Sequence, residues 1–565
     1  MNTEIIGIIF IFALTVALAI PFGKYCSKVF HDQKTWLDFM APVEKFMFRF
    51  AGVDPDKNMG WKENMRAMLF INGIFFLLAM IILLTQSWHP FWNPDGITSM
   101  EPTTAFNTAI SFMTNTNLQH YSGETGASYF TQLLVFCFLQ FVSAGTGIAA
   151  MVLLFNALQR GAKPELGNFY KLLVKSCTRI LLPVAVVIAL VLVWQGTPST
   201  FEGTETIVTL EGDTVNVARG PVAPMVAIKQ VGTNGGGYFG PNSTHPFENP
   251  TYLANIAENV AILFIPIALV FAFGFYMNRP KVGYAFFGSM TVLFVLFVSS
   301  SVYLEMQGNP NITSMGIDNS LGNMEGKEVR FGPAASSLWG VSTTSTSNGS
   351  VNSMHDSHTP LSGGIFILDM MINAVYGGVG VGFINFFVFV VIAVFISGLM
   401  VGRTPELFGK KIEAKEVKIA ALVAIAHPFF ILVSTAIASY IHVQDPDIGW
   451  LNNPSYHGFS EMLYEFTSSS ANNGSGFEGL GDATPFWNIM CGMVMLFGRF
   501  IPIIGPLAIA GSLASKRYIP ESSGTLRVES IAFNAVLLCV IIIVAALAFF
   551  PALTLGPIAE YLSMK

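Results

Sequence analysis

NNGSGFEGL, residues 472–480, is a glycine-rich polar stretch that lies between two long apolar runs. One such stretch is typical of a surface turn. Three more occur upstream, as MTNTNLQ at 113–119, GTNGGGYF at 232–239 and TSTSNGS at 344–350. Each follows a segment too short to cross a membrane and precedes a longer apolar run. Alignment on their asparagines gives a period of roughly 120 residues, which indicates an internal repeat. The aligned dipeptides are Asn115–Thr116, Asn234–Gly235, Asn348–Gly349 and Asn473–Gly474.

The composition places these stretches in a membrane protein. Of the 565 residues, 52% are hydrophobic and only 11% are charged, whereas soluble proteins carry roughly 25% charged residues. Ten apolar runs are long enough to cross a bilayer, which takes about 20 helical residues. They lie near 4–23, 67–86, 128–156, 172–194, 254–277, 283–304, 364–401, 417–441, 486–513 and 529–551.

The positive charges are distributed unevenly among the loops. If the N-terminus lies outside, most of the 29 Lys and Arg residues, Arg403 among them, fall in cytoplasmic loops. Basic residues are retained on that side of the membrane. The outer segments then hold Arg219, Lys229, Lys327, Arg330 and Lys565. We therefore predict a multi-pass protein with both termini outside.

Two spans separate each pair of neighbouring polar stretches, so all four stretches enter from the outside with the same orientation. This arrangement excludes the inverted repeats that would be expected of a secondary transporter for a small organic solute. We predict an all-α polytopic fold with about ten transmembrane helices. Four parallel helix–pore-loop–helix units surround a central pore, and one extra helix lies at each end. The predicted boundaries are 1–65 for the first helix and a cytoplasmic loop, 66–156, 157–278, 279–401 and 402–514 for the four units, and 515–565 for the last helix.

Irregular backbone at membrane depth occurs only where protein covers it or a wet cavity adjoins it. Four such loops predict a cation filter, in which backbone carbonyls replace the water shell of the ion. Gly and Asn are suited to it because they tolerate unusual backbone dihedrals. The predicted filter residues are Thr114, Asn115, Thr116, Asn117, Thr233, Asn234, Gly235, Gly236, Ser347, Asn348, Gly349, Asn472, Asn473, Gly474 and Ser475.

Acidic residues are expected to form the outer mouth of this filter. One outer loop contains no Lys or Arg and would concentrate cations by its negative field. Its acidic residues are Asp445, Asp447, Glu461, Glu465, Glu478 and Asp482.

Two side chains are predicted to support the filter. Gln119 follows the first polar stretch, and Arg499 lies within a span. A charge inside a membrane is costly and is usually paired or functional; the alternative for Arg499 is a side chain that snorkels to an interface.

The run at 364–401 is too long for one straight helix. Its glycines indicate either a break that serves as a gate or close helix packing. They are Gly377, Gly378, Gly380 and Gly382.

Other polar residues receive weaker assignments. His355, Asp356 and His358 are expected to form a hydrogen-bond network rather than a zinc site, because no fourth ligand is evident nearby. Glu258 and Asp369 are expected at the outer interface. The five cysteines show no CxxC spacing and are expected to act as small apolar residues.

The motifs MTNTNLQ, GTNGGGYF, NSMHDS, ANNGSGF, LMVGRTPELFGKKIE and LFGRFIPI extend over most of the chain. Through them the sequence resembles the potassium-binding A subunits of the bacterial Kdp potassium-transporting ATPases. The resemblance implies the fold of the superfamily of K+ transporters, K+ as the only bound metal, and filter positions on the four aligned dipeptides. It places the family's intramembrane arginine on Arg499 and its glutamine on Gln119. Asn348 stands where the family pattern is expected to carry Cys.

The resemblance also implies partners in the bacterial inner membrane. These are a P-type ATPase B subunit, toward which K+ would pass through a tunnel, together with a C subunit and a small F subunit, all surrounded by lipid. This chain has neither a GxxxxGK(S/T) phosphate loop nor a DKTGT motif. It is therefore expected to be a non-catalytic subunit without an ATP site, and nothing indicates nucleic acid. The alternative is a self-sufficient potassium channel or ion-coupled transporter of the same fold.

Overall fold

Long apolar helices dominate the computed structural model, which describes residues 2–161, 163–402, 404–520 and 527–564. Arg403 and Lys565 lie outside the described residues. Ten helical segments in the described part are long and apolar enough to cross a membrane, which confirms the predicted spans. Spans 1 to 10 are Asn2–Phe30, Trp61–Thr85, Tyr129–Leu158, Phe169–Gln195, Tyr252–Tyr276, Pro280–Gln307, Val381–Val401, Ala414–Gln444, Pro485–Ala514 and Ile531–Leu555.

Four shorter helices precede the four polar stretches. Pore helices 1 to 4 are Pro102–Met113, Val222–Val231, Gly332–Ser345 and Ser455–Ala471. They follow spans 2, 4, 6 and 8, so the predicted order of span, pore helix, loop and span is confirmed. Nearly all their side chains are buried, polar ones included.

The predicted break in the long run at 364–401 is confirmed. A helix at Pro360–Ile372 ends at Asn373, and span 7 begins only at Val381. We call residues 373–380 the glycine break. A Cβ added at Gly377 would overlap the Cα of Gly382, so the backbone folds back on itself closely at this point.

Two small hairpins depart from the all-helical prediction. Glu205–Val208 pairs antiparallel with Thr214–Val217, and Glu406–Leu407 pairs antiparallel with Lys410–Lys411. β-Branched residues, which favour strands, predominate on both sides of the connecting turn. Short helices complete the described structure: Trp36–Met40, Ala41–Phe50, Gln86–Trp88, Gly123–Gly126, Asn242–Thr244, Pro310–Ser314, His355–Ser357, Pro446–Ile448 and Pro557–Ser563.

The inner spans differ from the outer ones in burial. Spans 3 and 5 are mostly buried by the rest of the protein, whereas few residues of span 1 are fully buried. A helix that is apolar on all sides is stable inside the protein, where other helices cover it, and at the periphery, where lipid covers it. Spans 3 and 5 therefore pack around the pore helices.

Candidate cation site

Each of the four loops that follow the pore helices has two left-handed residues, two positions apart. They are Asn115 and Asn117, Thr233 and Gly235, Ser347 and Gly349, and Asn472 and Gly474, with φ between 48° and 103°. The residue between the two members of each pair does not have a positive φ. Left-handed backbone is unfavourable for most residues. Its recurrence at equivalent places in four loops marks one repeated backbone conformation.

Hydrogen bonds to the pore helices correct the predicted alignment of the first loop. The backbone N–H groups of Asn234, Asn348 and Asn473 donate to carbonyls five residues earlier, at 2.8 to 2.9 Å. In the first loop the equivalent donor is Thr116, which bonds to the Ser111 carbonyl at 2.9 Å. Thr116 therefore aligns with the three asparagines. The predicted pairing of Asn115–Thr116 with the other dipeptides is wrong by one residue, and Asn117 occupies the glycine position.

The four loops contact one another in a closed ring. A Cβ added at Gly235 would overlap the carbonyl oxygen of Asn348. In the same way, one at Gly349 would overlap the Asn473 carbonyl and one at Gly474 the Thr116 carbonyl. The first and second loops are joined by Asn115, whose Nδ2 donates to the carbonyls of Gly232 and Thr233 at 3.1 and 2.8 Å.

The asparagine side chains hold this backbone in place. Asn348 Nδ2 donates to the Lys229 carbonyl at 3.1 Å, and Asn473 Nδ2 donates to the Thr343 carbonyl at 2.8 Å. Each amide thus ties its loop to the pore helix of the preceding unit. Asn234 differs, because its Nδ2 donates to Asn115 Oδ1 at 2.6 Å. Since the side chains are used as braces, the backbone carbonyls remain as the groups that can face an ion.

The first loop also has polar contacts of its own. The hydroxyls of Thr114 and Thr116 lie 2.8 Å apart, and Asn472 Nδ2 donates to Thr116 Oγ1 at 2.9 Å. Asn117 Nδ2 is buried without a hydrogen-bond partner among the described residues. Gly236 leaves room for Asn117, because an added Cβ would overlap the Asn117 side chain.

Gln119 binds the second loop directly, whereas Arg499 is linked to the ring through Ser143. Gln119 exchanges two hydrogen bonds with the backbone of Gly237, at 2.8 and 3.0 Å, and so clamps the first two loops together. Arg499 is buried, and its Nη2 donates to the Ser143 carbonyl at 2.9 Å. Ser143 Oγ in turn donates to Asn115 Oδ1 at 2.9 Å. This buried position excludes the snorkelling alternative for Arg499.

The glycine break contacts the second and third loops. Val379 N–H donates to Thr233 Oγ1 at 2.9 Å, and Gly377 N–H donates to the Ser345 carbonyl at 2.8 Å. A small cavity lies between the loops and this break. Its lining includes Asn115, Ser347, Gly378, Gly382, Asn472 and Arg499. A second, largely apolar cavity shares Asn373, Asn385 and Gly498 with it.

The acidic mouth is less open than predicted. Glu461 and Glu465 lie buried in pore helix 4, because neighbouring side chains bind them: Asn453 Nδ2 donates to Glu461 at 2.8 Å, and His120 Nε2 lies 3.1 Å from Glu465. Glu478 remains at the surface and accepts from the backbone N–H groups of His355 and Asp356.

The motif at 355–358 forms the expected hydrogen-bond network. His355 Nδ1 lies 2.8 Å from Tyr464 Oη, and His358 Nε2 lies 3.2 Å from Ser353 Oγ. Asp356 Oδ1 lies 2.8 Å from His457 Nε2. The three side chains therefore have separate partners and do not converge on one metal.

Glu258 and Asp369 are not at the outer interface, contrary to expectation. Asp369 is buried, and its Oδ2 accepts from Thr344 and Ser345 at 2.8 and 2.6 Å, in the last turn of pore helix 3. Glu258 is also buried and accepts from Gln230 near the end of pore helix 2, at 2.8 Å. Both carboxylates brace a pore helix. The only sequence signal for this role was an isolated acid in an apolar run.

Comparison with known proteins identifies the family of this chain. The sequence model of the KdpA family, described as the potassium-transporting ATPase A subunit, matches residues 9–562. The chain belongs to the KdpA family. Relatives called potassium-transporting ATPase potassium-binding subunit occur in Flavobacterium psychrophilum, Parabacteroides distasonis and Geobacillus kaustophilus. They are 57%, 55% and 46% identical to it, and the matches cover 98 to 100% of this chain and of each relative.

A solved structure shows that the KdpA fold extends to a more distant protein. The potassium transporter TrkH from Vibrio parahaemolyticus superposes with a TM-score of 0.53 at 14% identity. The superposition covers 90% of this chain and 98% of TrkH. At this identity the likeness concerns the fold alone, and it agrees with the predicted fold.

Proposed function

We propose that this chain is the potassium-binding and translocating subunit of an ATP-driven potassium uptake complex. The observation that carries the proposal is the closed ring of four loops with paired left-handed residues. Its relatives are named potassium-binding subunits of a potassium-transporting ATPase, which supports the choice of ion. The units proposed to form the ring are 66–156, 157–278, 279–401 and 402–514.

In this proposal, backbone carbonyls of the four loops replace the water shell of K+. The pore helices all end at the ring, and the partial negative charge at a helix C-terminus favours a cation there. The asparagine amides fix the ring size by bracing the loops. The filter consists of residues 114–117, 233–236, 347–349 and 472–475, with Gln119 and Arg499 in support. Arg499 places a fixed positive charge at the cavity beneath the ring, which opposes free passage of a cation.

The glycine break acts as the gate in this proposal, because it forms the floor of the cavity under the second and third loops. The second cavity provides the direction of exit, since it shares three lining residues with the first. K+ that leaves the ring would pass along this route toward a partner subunit.

Energy would come from another polypeptide. We propose a P-type ATPase B subunit, with a C subunit and a small F subunit, as partners in the bacterial inner membrane. Both termini of this chain would face outward, and lipid would surround the outer spans.

The proposal is tested by purifying the chain from its native membrane under mild conditions and by measuring ATP hydrolysis. We expect a co-purifying ATPase whose turnover rises with K+ and not with Na+. The matched measurement places the chain alone in liposomes. Robust K+ uptake by the lone chain would contradict the subunit proposal and would favour a self-sufficient channel or ion-coupled transporter.

A further inference from the structure

Three buried side chains with metal-binding atoms converge beside the middle of pore helix 4, and the carboxylate of Asp482 lies near them. His120 Nε2 lies 3.1 Å from Glu465 Oε1, and Cys491 Sγ lies 3.6 Å from the same oxygen. Asp482 Oδ2 lies 3.9 Å from His120 Nε2. His120, Glu465 and Cys491 are buried, while Asp482 is about one-third exposed and provides a route from solvent. The K+ ring uses none of these four side chains.

The surrounding hydrogen bonds orient the imidazole for ligation. The Glu101 carboxylate accepts from the hydroxyls of Thr103 and Thr104, at 2.6 and 3.2 Å. Those hydroxyls therefore accept from Asn488 Nδ2, at 2.9 and 3.1 Å. The amide oxygen of Asn488 is thereby turned toward His120 Nδ1, at 2.7 Å. With the ring N–H on Nδ1, Nε2 points toward the other three groups. A hydrogen bond to the second ring nitrogen is the usual support of a metal-bound histidine.

We propose that His120, Glu465, Cys491 and Asp482 form a binding site for a divalent transition metal, with Zn²⁺ as the best fit. Tetrahedral Zn²⁺ binds nitrogen and oxygen at about 2.0 to 2.1 Å and sulfur at about 2.3 Å. Those bond lengths place neighbouring ligand atoms about 3.3 to 3.5 Å apart. The spacings around Glu465 Oε1 agree with this geometry. The Asp482 carboxylate, 3.9 Å from His120 Nε2, would have to move closer to complete the set.

A second acidic cluster nearby lacks this capacity. Asp356, His457 and Glu461 also lie close together. However, both nitrogens of His457 are already hydrogen-bonded to carboxylates, Nε2 to Asp356 and Nδ1 to Glu560, each at 2.8 Å. The His120 cluster differs because its histidine has a carbonyl-type acceptor on one nitrogen, and because a thiol joins the set.

A metal at this site would connect two of the four units of the ring. His120 lies three residues after Asn117 of the first loop. Glu465 lies in pore helix 4, one turn before Ser468, whose hydroxyl accepts from Gly474 N–H at 2.9 Å. Cys491 belongs to the second turn of span 9. The metal would therefore hold the first loop against the fourth unit, from outside the K+ path.

The test uses the untagged full-length protein and Co²⁺ as a spectroscopic probe for Zn²⁺. We expect a sulfur-to-cobalt charge-transfer band in the near ultraviolet that saturates at about one equivalent and disappears when Zn²⁺ is added. Cys491→Ser should abolish the band. Cys539→Ser, which changes an exposed thiol in span 10, should retain it. Absence of a saturable band, or its persistence in Cys491→Ser, would overturn the proposal.

Two further measurements test the site even if Cys491→Ser does not fold. Asn488→Ala removes the support of His120, together with the amide bonds to Thr103 and Thr104, but no proposed ligand. It should weaken Zn²⁺ binding about 10- to 100-fold. X-ray absorption of the Zn²⁺-loaded wild-type protein should show one sulfur at about 2.3 Å together with nitrogen and oxygen ligands. Unchanged affinity in Asn488→Ala, or a shell without sulfur, would contradict the site. None of these measurements depends on K+ binding, so their failure would leave the proposed potassium function untouched.

Discussion

Gly235→Ala is predicted to weaken K+ binding strongly. Gly235 has φ of 78°, and an added Cβ would overlap the carbonyl oxygen of Asn348 in the adjacent loop. The left-handed backbone costs a non-glycine residue about 1 to 2 kcal/mol. Relief of the overlap costs about 1 to 3 kcal/mol more. The loop can relieve it only by moving the Asn348 carbonyl, which the proposed filter needs in place. A cost of about 2 to 5 kcal/mol corresponds to at least a tenfold loss of K+ affinity.

The assay is calorimetric K+ titration of the purified protein, in parallel with Gly378→Ala. Gly378 lies beneath the same ring, yet its φ is not left-handed and an added Cβ would lie 3.6 Å from the nearest side-chain atom, Ser347 Cβ. We expect its K+ affinity to stay within about threefold of the wild type. A folded Gly235→Ala protein with wild-type K+ affinity would refute the placement of this loop in the ion site.

Three further predictions concern the braces, the mouth and the scaffold. Asn115→Ala leaves two buried carbonyls without a donor, at a cost of about 1 to 3 kcal/mol. When Na+ competes with K+ for binding, this variant should show about tenfold poorer selectivity for K+. Unchanged selectivity would contradict the bracing role. Glu478 is exposed as a residue, but its carboxylate end is held against the backbone of His355 and Asp356, where nearby protein atoms displace water and raise its pKa to about 7. The carboxyl therefore becomes neutral as pH falls through this value. The K+ affinity should decrease on acidification in the wild type and change less in Glu478→Gln. Equal pH profiles of the two proteins would exclude Glu478 as the cause. Glu248→Gln leaves the buried Lys229 ammonium unpaired and should lower stability by about 3 to 5 kcal/mol in a thermal melt, whereas Glu202→Gln, at the exposed partner of Arg219, should leave the melting temperature unchanged.

Much of the fold could be predicted because its signals are periodic. Apolar runs of membrane length define the ten spans, and the repeated Asn and Gly letters define the four units. The break before span 7 could be predicted as well, since glycines interrupt a run that is too long for one helix. These features depend on neighbouring residues in the chain, which the sequence displays directly.

The register of the first loop could not be predicted in this way. Asn115 and Asn117 are both asparagines, and both adopt a left-handed backbone. Letter matching therefore places Asn115 opposite the asparagines of the other loops, although Thr116 occupies that position. Only the hydrogen bond from Thr116 to the pore helix decides the alignment. Asparagine tolerates the conformation that glycine adopts in the other loops, so the first loop adopts the repeated conformation without a glycine.

Contacts between distant residues were also beyond prediction. Asp369 was expected at an interface, yet Thr344 and Ser345 hold it inside the protein. Likewise, Cys491 was interpreted as a small apolar residue, but the fold brings it to Glu465. Burial of a carboxylate or a thiol depends on partners from other units, and no local pattern reports them.

The central claim is that the ring of four loops binds the transported ion. Its most direct test is a structure of the protein in Tl+, with the ion located by its anomalous scattering and displaced by K+. We predict one K+-displaceable peak inside the ring, coordinated by carbonyls from all four loops, in the segments 115–117, 233–235, 347–349 and 472–474. A peak confined to the acidic mouth, or a ring without Tl+ at saturating concentration, would contradict the claim.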